Sequence, residues 1–260
     1  MGLLTLVSLG IAVLFGPGGI VGGLLIGIAG SAVIVMAEAV PTEFYHRSIV
    51  RQMIRHPNQS VRISISYLFR IRSSGRYLLI QGNRYPGQYQ PIGGVYKFFP
   101  SAAPGLRSEF ALLDDDLLPV DQTSDGDLRI RIPGKRLIKF LNWFDSGLGR
   151  ECTPEREFHE ELIASGFLNA SDFPYLNPQY CGRHLEPIRY SDYAKSPELL
   201  VADIYELILS DAQVSAIEAA VTAHPDKLIW ATSDQIERRG AVPGSAHVVT
   251  VSGHSSWLLN

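Results

Sequence analysis

From Val61 onward the chain alternates with a period of two. Val61, Ile63, Ile65, Tyr67, Phe69 and Ile71 stand against Arg62, Ser64, Ser66, Arg70 and Arg72, with Leu68 as the exception. That pattern predicts a strand with one buried face. Ser73-Ser74-Gly75 predicts a turn, and Tyr77–Ile80 a second strand. Tyr89–Ile92 predicts a third short strand running into Gly93-Gly94. The stretch Pro100–Gln122, with Asp114-Asp115-Asp116, reads as a solvated loop, and Leu128–Ile132 as another strand. A helix is predicted over Thr153–Ser165, with Thr153 as cap, Pro154 in the first turn and Gly166 at its end. Leu199–Leu209 predicts a strand. Asp211–Ala223 predicts an amphipathic helix with Val214, Ile217, Ala220 and Val221 on one side. Leu228–Ala231 and the strand-rich segment Ser245–Leu259 follow. Loose alternation of strands and helices predicts a mixed α/β body over residues 61–260.

The first 40 residues follow a different rule. Gly2–Phe15 is an apolar run of ~21 Å as a helix, and Gly19–Ala37 one of ~28 Å, close to a hydrocarbon core of ~30 Å. Gly16-Pro17-Gly18 between them is a turn sequence. The pattern predicts a two-helix transmembrane hairpin over residues 1–40. A signal peptide needs a basic n-region and a single apolar run, and neither is present, although Ala37-Glu38-Ala39 resembles a cleavage site. A buried core hairpin would pack poorly, because nine of the first 36 residues are glycine. Leu6 stands where a myristoylation signal needs Ser or Thr. Gly19, Gly23, Gly27 and Ser31 form one small-residue stripe along the second helix. It serves packing within the hairpin or contact between chains, and the latter implies a homo-oligomer.

Charge sets the orientation. The first charged residue is Glu38. Arg47, Arg51 and Arg55 follow the second apolar run, while the other flank and the turn have no Lys or Arg. The positive-inside rule then places the soluble domain in the cytoplasm, with the protein a multi-pass component of the inner membrane. Residues 41–60 form a juxtamembrane helix and linker, the helix ending at His56-Pro57, with the arginines either solvated or against the anionic headgroups of the lipid bilayer. A net charge of −3 is too near zero for a general nucleic-acid coat. Cys152 and Cys181 have no C-x-x-C spacing, which argues against a disulfide framework or a cysteine zinc site.

The candidate chemistry lies in Arg156-Glu157-Phe158-His159-Glu160-Glu161-Leu162. Glu157, Glu160 and Glu161 at i, i+3 and i+4 share a helix face and repel one another. A divalent cation with oxygen preference, Mg²⁺ or Mn²⁺, would offset that repulsion; a solvated acidic face is the plainer alternative.

Arg-Glu-apolar-x-Glu-Glu resembles the core of the Nudix box. The order of Gly75–Ile80, then Tyr89–Gly94, then the helix resembles that family as well. The resemblance implies an α/β/α sandwich, a nucleotide pocket involving Gly93, Gly94 and Arg156, and Glu157, Glu160 and Glu161 as metal ligands. The chain departs from the standard box in three ways. Leu148 stands where a glutamate belongs, Gly166 comes five residues after Glu161 rather than two, and some fifty residues, Val95–Gly147, separate Gly-Gly from the box region. Hairpin and altered box together resemble the membrane-anchored, SMODS-associated Nudix effectors of bacterial CBASS antiphage systems. That likeness implies a cyclic nucleotide messenger made by a partner nucleotidyltransferase (CD-NTase), with membrane damage as output. The alternative is a membrane-tethered, Mg²⁺-dependent hydrolase of nucleoside diphosphate derivatives.

Overall fold

The computed structural model describes residues 47–82, 85–115, 125–242, 244 and 249–259. The expected hairpin, with Gly19, Gly23, Gly27 and Ser31, lies outside the described residues. Among those described, no helix is long and apolar enough to cross a membrane.

Residues 47–55 are helical (α1), and the helix stops at His56, before Pro57. There follow β1 (Ser60–Arg70), β2 (Arg72–Ser73), β3 (Arg76–Gln81), β4 (Gln88–Gln90) and β5 (Gly93–Val95). Next come α2 (Ala103–Phe110), β6 (Leu113–Asp114), β7 (Arg129–Pro133) and α3 (Leu137–Ser146). Helix α4 has two parts, an α-helical turn Glu155–Phe158 and a π turn His159–Ile163. The chain continues through β8 (Pro178–Leu185), β9 (Arg189–Ser191), β10 (Ser196–Leu207), α5 (Asp211–Ala223), β11 (Leu228–Thr232), α6 (Ser233–Glu237) and β12 (Thr250–Val251), ending in a 3₁₀ segment, Gly253–Leu259.

Two sheets result. The larger has the order β6-β7-β1-β10-β8. At its centre β1 and β10 run parallel, from Arg62 beside Glu198 to Arg70 beside Glu206. The other edge of β1 is shared: β7 pairs with its first half and β5 with Ser66–Leu68. The smaller sheet has the order β11-β3-β4-β12, with β2 on β3. Ser74 and Gly75 both have positive φ, 50° and 72°, which turns β2 back onto β3 as the sequence predicts.

Burial explains the exception in the β1 pattern. Val61, Ile63, Ile65, Tyr67 and Phe69 join the main core with Phe140, Phe144 and Phe158. Leu68 faces the other way, into a second cluster with Leu79, Tyr89, Ala202 and Ile204. The strand is therefore covered on both faces at that point. Arg62, also buried, is neutralised by Asp115, 2.8 Å from its Nε, and by Glu198.

Several sequence expectations are corrected. The strand expected over Tyr89–Ile92 is two strands in different sheets, β4 and β5, parted at Pro91-Ile92. The expected loop 100–122 contains α2, whose Leu106 and Phe110 are buried one turn apart, and Asp115 is buried by its pairing with Arg62. Pro154, not Thr153, occupies the cap position of α4, and no side-chain cap bond forms there. Among the described residues of the chain end, the one strand is the short β12, which precedes the 3₁₀ turns. The predicted α5 agrees end to end, fixed by a capping box of Ser210 and Gln213.

Candidate functional site

Helix α4 is held against β5 from below by apolar contacts and from above by polar ones. Phe158 and Leu162 are fully buried. The Phe158 ring meets Phe69 of β1 edge-on at 6.0 Å and Phe173 at 5.3 Å. On the other side the Gly93 N–H donates to Glu161 Oε2 at 3.1 Å. Gly93 and Gly94 permit this approach. A Cβ on Gly93 would strike the Tyr67 carbonyl, and one on Gly94 the Glu157 carboxylate.

Arg156 is the hub. Its Nη2 donates to the Val95 carbonyl at 2.9 Å and its Nε to Glu151 Oε1 at 3.1 Å. Its Nη1 donates to Glu157 Oε1 at 2.7 Å and Glu160 Oε2 at 3.3 Å. Burial works against the guanidinium charge, but Tyr67, Glu157 and Glu151 outweigh it and keep the cation. The structure thus brings Arg156, Glu157, Glu160 and Glu161 together with Gly93 and Gly94.

The three carboxylates differ. Burial, reinforced by neighbouring Glu157 and opposed by the Gly93 N–H, pushes Glu161 up to about 8. Glu157 is also raised by burial, against the pull of Arg156. The Glu160 side chain is 56% exposed and rests on Arg156. Among the described residues no three His, Cys, Asp or Glu side chains are grouped as a ready metal cluster. The donor chemistry nonetheless fits a hard cation at Glu157 and Glu161, two adjacent carboxylates whose charge burial penalises.

Five residues around the site, Glu151, Tyr67, Asp127, Arg129 and Lys97, escaped the sequence reading. Glu151 supplies the carboxylate that holds Arg156 from the N-terminal side, whereas Leu148, at the expected glutamate position, is 71% exposed. The Tyr67 hydroxyl is buried without a hydrogen-bond partner among the described residues, and burial followed by Glu151 raises its pKa. Asp127 is raised by burial against Arg129 and Lys97, whose nitrogens lie 3.2 and 3.3 Å away. Their one sequence signal is that Tyr67 and Arg129 lie on period-two strands; folding alone brings them to α4.

Beside Arg156 opens a cleft of about 470 Å³, lined by Lys97, Phe98, Phe99, Arg107, Gly126 and Glu151 among others. Phe99 is half exposed. Lysine, arginine and an accessible ring in one concavity suit a phosphate-bearing aromatic ligand.

A family model for the SMODS-associated NUDIX domain matches residues 60–259. No curated protein matches the chain.

Proposed function

The chain belongs to the SMODS-associated NUDIX domain family, and on that footing we propose that it is a CBASS antiviral effector. In this reading the Nudix-like domain senses a cyclic nucleotide made by a CD-NTase. The apolar leader then assembles in the inner membrane and breaches it, ending the infected cell before phage release. The observation that carries the sensing role is the cleft beside Arg156, where Lys97, Arg107 and Arg156, each also paired with a carboxylate, stand with Glu151, Asp125 and the exposed Phe99. Phe99 would stack on a base, and Lys97, Arg107 and Arg156 would face its phosphates. Arg156 lying across Glu157 and Glu160 favours a site that binds over one that turns over.

A hydrolase is the second reading, and the neighbouring carboxylates of Glu157 and Glu161, whose charge burial penalises, favour it. Mg²⁺ would be held by Glu157 and Glu161, and would supply Lewis acidity toward a phosphoryl oxygen. This chain's own part would be to orient the anhydride through Arg156 and Lys97.

The test uses the full chain in dye-loaded vesicles, challenged with cyclic di- and trinucleotides. One of them should bind and release dye. Phe99→Ala with Arg107→Gln should weaken its binding at least about tenfold, the size of a lost base stack. No binding by any cyclic nucleotide, with Mg²⁺-dependent turnover of a nucleoside diphosphate derivative that Glu157→Gln abolishes, would establish the hydrolase instead.

A further inference from the structure

Helix α1 turns Ile49 and Gln52 into the body and leaves Arg47, Arg51 and Arg55 outside. Val50 and Ile54 share that outer face, 42% and 74% exposed. On a 3.6-residue helix these five positions form one continuous strip, apolar along one edge and cationic along the other. Beneath the strip, α1 and the turn before β9 enclose an open cleft of about 530 Å³. Arg47, Arg51, His56 and Arg189 line it with Ser48 and Ile188, and among the described residues that line it there is no carboxylate. The turn is fixed to the helix, since the Ile188 N–H donates to Ser48 Oγ at 3.2 Å.

The geometry points to α1 and Arg189 as a binding site for the anionic headgroup of a phospholipid, with Val50 and Ile54 entering the acyl boundary. The inference rests on the membrane reading of the leader. A soluble anion would use the arginines but has no use for exposed Ile54. A lipid uses both, through its phosphate and its chains. The place in the chain agrees. Arg47 follows the end of the uncharged stretch at Ala37 by ten residues, at most ~36 Å of extended backbone. Each arginine near an anionic surface is worth about fivefold in partitioning.

The experiment places the full chain in nanodiscs of phosphatidylcholine alone or mixed with phosphatidylglycerol, after alkaline carbonate has shown that it is inserted. Amide hydrogen exchange over residues 47–55 and 186–190 is the readout. Exchange should slow at least about fivefold in the anionic discs, and Arg47→Gln with Arg51→Gln and Arg189→Gln should erase the difference. Ile54→Ser should reduce it while leaving the arginines in place. A chain that inserts but shows the same exchange in both discs overturns the headgroup site and leaves the effector reading standing. A chain released by carbonate removes the membrane premise and this site with it. Equal protection in neutral discs on adding glycerol phosphate would assign the cleft to a soluble anion and overturn the lipid.

Discussion

Glu161 joins the Gly93 amide to the box helix in surroundings that resist its ionisation. In the folded protein it titrates at about 8; in the unfolded chain a glutamate titrates near ~4.3. Between those values the folded state keeps a proton that the unfolded chain has released, so stability falls as pH rises through this window and levels off above it. Glu161→Gln keeps an acceptor for Gly93 and removes the proton. The variant should therefore lose much less melting temperature than the parent between about pH 5 and 8, with a free-energy difference on the order of a few kcal/mol. Mg²⁺ should raise the parent's melting temperature more at the alkaline end and leave Glu157→Gln/Glu161→Gln unmoved. A parent curve as flat as the variant's would mean that Glu161 is already ionised. The carboxylates were legible because Glu157 and Glu161 lie four apart on one short helix. Glu151 was not, since its link to Arg156 depends on the bend between α3 and α4, which no periodicity encodes.

Strand β5 and helix α4 fit together only because Gly94 has no side chain. Gly94→Ala would thrust a methyl group into the Glu157 carboxylate, so that Glu157 must leave Arg156 or the strand must move. A loss of about 1–3 kcal/mol in denaturant unfolding is expected, as for overpacking elsewhere. Ligand binding at the cleft should weaken as well. Gly105→Ala in α2, where a Cβ meets nothing within 4 Å, is the control and should be neutral or slightly stabilising. If both variants unfold alike, the close approach is not what holds the two elements. The same contrast shows what the sequence could reveal. β1 and α5 announce themselves through apolar residues repeating on one side, and β3 through an unbroken apolar run after the Ser-Ser-Gly turn. β4 and β5 share one unbroken polar–apolar run, so their division between two sheets is set by which neighbour each meets, β3 or β1. Helix α3 went unread although Leu137, Phe140 and Phe144 are buried at helical spacing, because Lys135, Arg136 and Pro133 around its start offer no capping residue.

In the proposed function the Nudix-like domain is the sensor and the apolar leader the output. A messenger can drive the leader only by binding two states of the chain unequally. Gly23→Leu or Gly27→Leu would block close helix approach between chains. Either should abolish messenger-dependent dye release while messenger affinity and insertion stay unchanged. Undiminished release by both would confine the stripe to packing within one hairpin. Assembly of the Nudix-like domain itself also has an order in time. The centre of its large sheet joins β1 to β10, strands that begin at Ser60 and Ser196. A ribosome adding ~5–20 residues per second needs roughly 7–30 s between completing the start of one and the end of the other. During that interval the 37-residue uncharged leader has already emerged, whereas β1 still waits for its neighbour. In the proposed effector the membrane-active segment is therefore synthesised well before the centre of its sensing domain can close.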